Sequence, residues 1–291
     1  MINRNYREGE QLDVAGLNKI TVLLDRSETE LTEVGMNEWR PNLDGPPHKH
    51  NDKDQVFYIT SGKGKVIVCG KEFDTHPGCA VYVPAGCVHQ TITTSEEPFV
   101  YLLLNIFNNP DKEGHASFKD HIEKVKMIRK QQAESGETGD DSEGDIKVEK
   151  KDVKFFETVL EGKTYEFGSN STVLLLDRNE ANNFELVVVK WSSHNRGAMV
   201  AHSEKEQSFF ILKGTGEITI GDETEKVVPG NLVFVPRDTP HTTESFDEEL
   251  VYLCLNSYPV EPEDESFDAM YNRIAPERIK RWESGSSEVG E

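Results

Sequence analysis

The stretch GPPHKHNDKDQVFYITSGKG (Gly45–Gly64), followed by PGCAVYVPAGCVH (Pro77–His89), decides how the chain is read. His48 and His50 are two apart and run into the alternating VFYI of a strand. In a strand, residues i and i+2 share a face, so both imidazoles aim at one point. Gln55 ends the polar stretch between them and the strand. His89 follows a second strand-like run, AVYV, and the turn Pro84-Ala85-Gly86. Three histidines and a carboxamide brought together from separate places suit a mononuclear metal site, because neutral imidazole is the commonest protein ligand for a metal ion.

Working outward, the chain repeats itself. A shift of 152 residues carries Trp39 onto Trp191, and the register holds without a gap from Leu23 to Thr91. LLDR at Leu23–Arg26 recurs at Leu175–Arg178. Gly45 meets Gly197, His50 meets His202, Gln55 meets Gln207, Gly62 meets Gly214, Pro84 meets Pro236 and His89 meets His241. With one residue dropped, VYLLLN at Val100–Asn105 meets VYLCLN at Val251–Asn256. The period is too long for a solenoid, so each copy is a complete unit of short strands joined by tight glycine turns.

The motifs resemble those of the cupin superfamily, whose two signatures read G-x5-H-x-H-x3–4-E-x6-G and G-x5-P-x-G-x2-H-x3-N. His48, His50, Gln55 and Gly62 fill the first, and Gly78, Pro84, Gly86 and His89 the second. Three positions depart from the pattern: Asn42 stands for the opening glycine, Gln55 for the acid and Thr93 for the closing asparagine. The resemblance implies an all-β fold of two tandem antiparallel jelly-roll barrels, a bicupin. The expected organisation is a first barrel over 1–108 holding the metal, a helix and an acidic flexible linker over 109–150, a second barrel over 151–258, and a C-terminal helical segment with a disordered tail over 259–291. Phe118, Ile122, Val125 and Ile128 carry the helical spacing after the first barrel. Phe267, Tyr271 and Ile274 carry it after the second.

In the second copy the ligand positions read Val200, His202, Gln207 and His241. The first ligand has become apolar, so this site is degenerate and metal is expected only in the first barrel. Metal ligands there are His48, His50 and His89, with Gln55 as a fourth ligand, a neighbour of the ligands or a substrate contact. A carboxamide brings no charge, so the ion would keep its full positive charge and remain more Lewis-acidic. Iron, zinc, nickel, manganese and copper all suit such a donor set. His76, His115 and His121 read as surface residues, and no catalytic residue is assigned.

The formal charge is −21, from 53 acidic against 32 basic residues. That disfavours nucleic acid, whose binding rests on basic side chains at phosphates. No apolar run approaches the ~20 residues of a spanning helix, so no membrane partner is expected. Cys69, Cys79, Cys87 and Cys254 show no paired metal spacing and no disulfide-dense pattern, which points to a reducing compartment and a cytoplasmic protein. Resemblance to bicupin dioxygenases of the quercetinase type implies an oxidoreductase that cleaves a small organic substrate with oxygen. A non-oxidative cupin (sugar isomerase, epimerase or cyclase) and a non-catalytic metal- or small-molecule-binding protein are the rival readings. The same resemblance implies a homodimer.

Overall fold

A computed structural model describes residues 1–111, 116–140 and 151–291. Its strands and helices form two compact units: Gly9–Val159, and Met1–Glu8 together with Leu160–Glu291.

In the unit Gly9–Val159, a seven-stranded sheet runs in the order Lys154–Phe156, Ala80–Val83, Lys53–Ser61, Phe99–Phe107, Thr32–Trp39, Asn18–Leu24, Gln11–Val14. Facing strands are antiparallel. A smaller sheet holds Gly139–Asp140, His48–Lys49, His89–Thr93, Gly64–Val68 and Lys71–Thr75. Alternation decides what lies between them. In Gly64–Val68 the residues Val66 and Val68 are buried while Lys65 and Ile67 are less so. They join Trp39, Phe57, Ile59, Phe99 and Tyr101 in one apolar core, the arrangement expected where inner faces of two sheets meet. Gly62 shows why its position admits no side chain. Its φ is +73°, and a Cβ would collide with the carbonyl of Pro98. Gly214 repeats this in the other copy, with φ +81° and the Glu249 carbonyl in the way.

The helix α1 (Phe118–Ser135) is capped by Ser117, whose side chain accepts from the Asp120 N–H, and ends at Gly136 in the left-handed conformation. Asp25 of the LLDR segment accepts from the Phe118 N–H at 2.9 Å, fixing where the helix starts. Phe118 and Ile122 enter the core.

The other unit repeats this plan. Its seven-stranded sheet runs Ile2–Asn5, Asn231–Val235, Glu206–Lys213, Leu250–Ser257, Phe184–Trp191, Asn170–Leu176, Lys163–Glu166, and its small sheet Glu223–Val227, Gly216–Ile220, His241–Ser245. Asp177 holds the first turn of α2 (Phe267–Glu283) as Asp25 holds α1, accepting from the Phe267 N–H at 2.9 Å.

The boundaries differ from those read in the sequence. Residues 1–8, expected in the first barrel, complete the sheet of the other unit, with Ile2 opposite Phe234 and Asn5 opposite Asn231. Side-chain amides lock the register: Asn231 donates to Asn3 at 2.6 Å, and Asn5 donates to Asn231 at 3.0 Å. Reciprocally Lys154–Phe156, expected to open the second barrel, pairs with Ala80–Tyr82 of the first. The helix continues through Ser135, into the segment expected to be flexible linker, and Gly139–Asp140 pairs with His48–Lys49. The rest of that linker and His115 lie outside the described residues. The C-terminal tail is not disordered. Gly290 is bonded to Met199 and Ala201, while Arg281 donates to the carbonyls of Met199, Glu288 and Glu291.

Cys69 and Cys87 form a disulfide, with Cα atoms 5.2 Å apart, and Cys79 and Cys254 are buried and free. This corrects the expectation of unpaired thiols and removes the cysteine argument for a reducing compartment. Cys69 follows Val68, which pairs with His89, and Cys87 lies two residues before His89, so pairing of the two strands brings the cysteines together although 18 residues separate them in sequence. Among the described residues, no helix is long and apolar enough to cross a membrane.

Candidate metal centre

The structure brings His48, His50 and His89 together. One ligand atom from each lies within 4.8 Å of the others, a spacing that could hold a metal ion. Two backbone devices set this up. His48 faces His89 across the short antiparallel pair at the edge of the small sheet. The Gly86 N–H donates to the His50 carbonyl at 2.6 Å, tying the histidine loop to the Pro84-Ala85-Gly86 turn. Ring centroids are 4.3 Å apart for His48–His89, 5.0 Å for His50–His89 and 5.1 Å for His48–His50. Nδ1 of His48 lies 3.1 Å from the Pro46 carbonyl, and Nδ1 of His89 lies 3.0 Å from that of Cys87. A carbonyl only accepts, so both rings carry their proton on Nδ1 and present the Nε2 lone pair, as a ligating imidazole does.

Gln55 is oriented by a chain of partners. Asn105 donates from Nδ2 to Glu33 at 2.7 Å, so its Oδ1 faces Gln55 and accepts from Gln55 Nε2 at 2.7 Å. Glu33 also accepts from Nδ1 of His121 at 2.8 Å, and His121 Nε2 lies 3.3 Å from the Lys53 ammonium. The Gln55 Oε1 is thereby turned toward the pocket, buried and without a hydrogen-bond partner among the described residues. A buried lone acceptor is unfavourable by about 1–3 kcal/mol, and a cation would relieve it. The donor set therefore fits a divalent transition metal held by His48, His50 and His89, with the amide oxygen as a neutral fourth donor.

The pocket above these groups has a volume of about 50 Å³. Trp39, Phe57 and Leu103 form apolar wall, while His121 and Arg129 of α1 face it. Tyr101 stacks on Phe57 and accepts from the Asn37 amide and the Trp39 indole, each at 2.9 Å. Among the described residues, no aspartate or glutamate lines the pocket. His121, read in the sequence as a surface residue, is buried here. Arg129 was not singled out; its Cζ lies 5.5 Å from the Trp39 ring centroid.

In the other unit Val200 faces His241 across the bridge that corresponds to His48–His89. His202 and His241 have ring centroids 5.3 Å apart. Among the described residues, the triad of the first unit is the only group of three such donors close enough to share an ion. Burial pushes the His202 imidazole well below its ordinary pKa and that of His241 down to about 4, with the Lys205 ammonium acting in the same direction on both. Gln207 repeats the orientation of Gln55, donating to Asn256 at 2.6 Å, which donates to Glu185 at 2.6 Å. In place of His121, Arg178 binds that glutamate, with Nε 2.9 Å from Glu185 Oε2. The paired glutamines thus serve a structural hydrogen bond in both copies and aim a carbonyl oxygen at each pocket.

A family model described as "Cupin domain" matches residues 36–106 and 191–256, once in each unit. The chain is a bicupin. Among curated proteins, the glucose-6-phosphate isomerase of Thermococcus litoralis is 34% identical over 76 residues, covering 24% of this bicupin and 38% of that enzyme. That of Pyrococcus furiosus is 32% identical over 73 residues, 36% of its length. The bicupin thus spans well under half the length of the curated relatives it matches. Solved structures cover it almost entirely. Lactobacillus farciminis oxalate decarboxylase in a formate complex superposes with a TM-score of 0.62 at 13% identity, over 97% of this chain and 96% of that one. A variant of Bacillus subtilis oxalate decarboxylase gives 0.62 at 16% identity, over 97% and 83%. At these identities the likeness establishes the two-barrel fold alone. Another structure of the B. subtilis enzyme concerns its Mn(II) centres.

Proposed function

We propose that the barrel of the unit Gly9–Val159 is a metal-dependent enzyme centre acting on a small organic molecule, with dioxygenase-type oxidoreductase chemistry as its reaction class. The observation that carries this is the convergence of His48, His50 and His89, with the buried Gln55 amide, on a pocket lined by no carboxylate among the described residues. When bound, the metal supplies Lewis acidity and, for a redox-active ion, electron transfer. The protein supplies the rest. Gln55 contributes no charge, so the ion's attraction for an anionic substrate oxygen is not diluted. Arg129 is placed to hold that anion from α1, and the Trp39 and Phe57 walls exclude water. Lys53 and His121 hold a proton between Nζ and Nε2, while Glu33 fixes the ring by its bond to Nδ1.

A second reading is non-oxidative isomerisation of a sugar, favoured by the partial likeness to glucose-6-phosphate isomerases. It needs a base that moves a proton between neighbouring carbons, and among the described residues that line the pocket there is no carboxylate for that role. The test is metal content per chain by plasma mass spectrometry, followed by oxygen uptake against a panel of small hydroxylated and aromatic substrates. About one redox-active ion per chain with substrate-dependent oxygen uptake supports the oxidoreductase. A metal-loaded protein that interconverts aldose and ketose phosphates without oxygen uptake establishes the second reading. Failure to hold iron, manganese, nickel, copper or zinc after reconstitution overturns both.

A further inference from the structure

The unit Met1–Glu8 with Leu160–Glu291 holds a cavity of about 70 Å³ under α2, its apolar wall formed by Phe167, Val187, Trp191 and Phe209. Two cations face it. Arg278 stands on α2 where Arg129 stands on α1. Among the described residues it forms no hydrogen bond or ion pair, and its Nε is sealed from solvent. Its guanidinium carbon lies 4.7 Å from the Phe167 ring centroid. The residue is partly exposed and lines the cavity, with its Nε buried. Lys205, 6% exposed, lines the same cavity and among the described residues forms no ion pair. Among the described residues no aspartate or glutamate lines the cavity. The carboxylates nearest Lys205 are engaged elsewhere. Glu185 is held by Arg178, Glu204 accepts from the Glu263 N–H at 2.9 Å, and Glu291 is paired with Arg273.

In a chain of net charge −21, two cations lining one cavity, with no acid among the described residues that line it, are a costly arrangement. Burial lowers the Arg278 pKa to about 10, with no carboxylate nearby to restore it. Among the acceptors that line the cavity, Gln207 Oε1 is buried and without a hydrogen-bond partner among the described residues. A bare anion satisfies the cations and leaves this oxygen unmet. A hydroxyl on the same ligand would meet it.

We infer that the second barrel is a metal-free binding site for a small hydroxycarboxylate, with its carboxylate on Arg278 and Lys205 and its hydroxyl donating to Gln207 Oε1. This stands independently of the reaction proposed for the first barrel. It gives the degenerate copy a ligand whose charge is opposite to the metal of its sibling.

Titration calorimetry on the full-length, metal-stripped protein tests it, with lactate as probe and propionate as the matching acid lacking the hydroxyl. One lactate site per chain is expected, with propionate weaker by about tenfold, the worth of one buried hydrogen bond. Arg278→Gln is expected to weaken lactate by about 30-fold or more, while Lys213→Gln, an exposed cation outside the cavity, leaves it unchanged. Circular dichroism establishes that each variant is folded, and Lys205→Met provides a second, independent removal of charge. Three outcomes overturn the inference: no saturable lactate binding, loss of binding in Lys213→Gln but not Arg278→Gln, or saturation by phosphate in place of either acid. Equal affinity for lactate and propionate overturns the role of Gln207.

Discussion

Restoring the acid of the usual motif by Gln55→Glu is expected to destabilise the metal-free protein. Gln55 Nε2 is the donor to Asn105 Oδ1 at 2.7 Å, and Asn105 cannot turn over, because its own Nδ2 is bonded to the Glu33 carboxylate. The substitution replaces that donor with a second acceptor, so two oxygens face each other in a buried site. Loss of the bond and the unmet lone pairs amount to about 2 kcal/mol, a fall of roughly 4–8 °C in melting temperature for a unit of this size. Protonation removes the conflict, since the carboxyl O–H can donate to Asn105. The introduced group therefore has a folded-state pKa above its unfolded value of about 4.3. The sign follows from linkage: the folded variant holds a proton that the unfolded chain releases, so the deficit is full above the raised pKa and shrinks as pH falls through it. With metal present the order reverses, because an anionic donor beside a divalent ion should tighten binding by at least about tenfold. The assay is scanning calorimetry of metal-free wild type and variant from neutral to acidic pH, with metal titrations alongside. A metal-free variant that melts at the wild-type temperature at neutral pH would show that the amide is turned the other way and that its oxygen does not face the metal site.

Other outcomes follow from the same geometry. His48→Ala or His89→Ala should abolish metal binding measured by elemental analysis, whereas His202→Ala should leave the metal count unchanged; loss of metal in the last would place an ion in the second barrel. His241, with its pKa lowered to about 4 by burial, is neutral when folded and would take up a proton near pH 6.5 when unfolded. Its contribution is therefore present above about pH 6.5 and lost as pH falls toward 4, by up to about 3 kcal/mol, and His241→Gln should flatten that part of the stability profile in chemical denaturation. Reducing Cys69–Cys87, which closes a short loop, should lower stability by about 3 kcal/mol and loosen the turn that carries His89. Unchanged melting in reductant, with free thiols confirmed by mass spectrometry, would deny the disulfide that role.

The repeat, the strand pattern and the histidine triad were legible because each depends on residues close in sequence or fixed in register. Alternation aims His48 and His50 at one point, and the glycine at 62 has no substitute where a carbonyl fills the space of a Cβ. What was not legible depends on distant partners. The strand Ile2–Asn5 is four residues of largely polar sequence, and its pairing is specified by amides 228 residues away in the chain. The tail carries no apolar period, yet the carbonyls of Glu288 and Glu291 accept from the Arg281 guanidinium. Cys69 and Cys87 meet only because the strands flanking them pair. His121 looked superficial because a histidine on an amphipathic helix reads as solvent-facing until Glu33, on a separate strand, is known to lie opposite it.

The exchanged edge strands carry a consequence for synthesis. Ile2–Asn5 leaves the ribosome long before its partner Asn231–Val235. At roughly 5–20 residues per second the wait is on the order of ten to forty-five seconds. During it the first unit can complete its own sheet only once Lys154–Phe156 emerges, and the N-terminal strand has no edge to join. An exposed strand edge is also what another copy of the chain could occupy. Nascent chains crowded on one message would then be open to exchange between neighbours, and a tag or truncation at the first few residues would be felt in a barrel that begins more than 150 residues later.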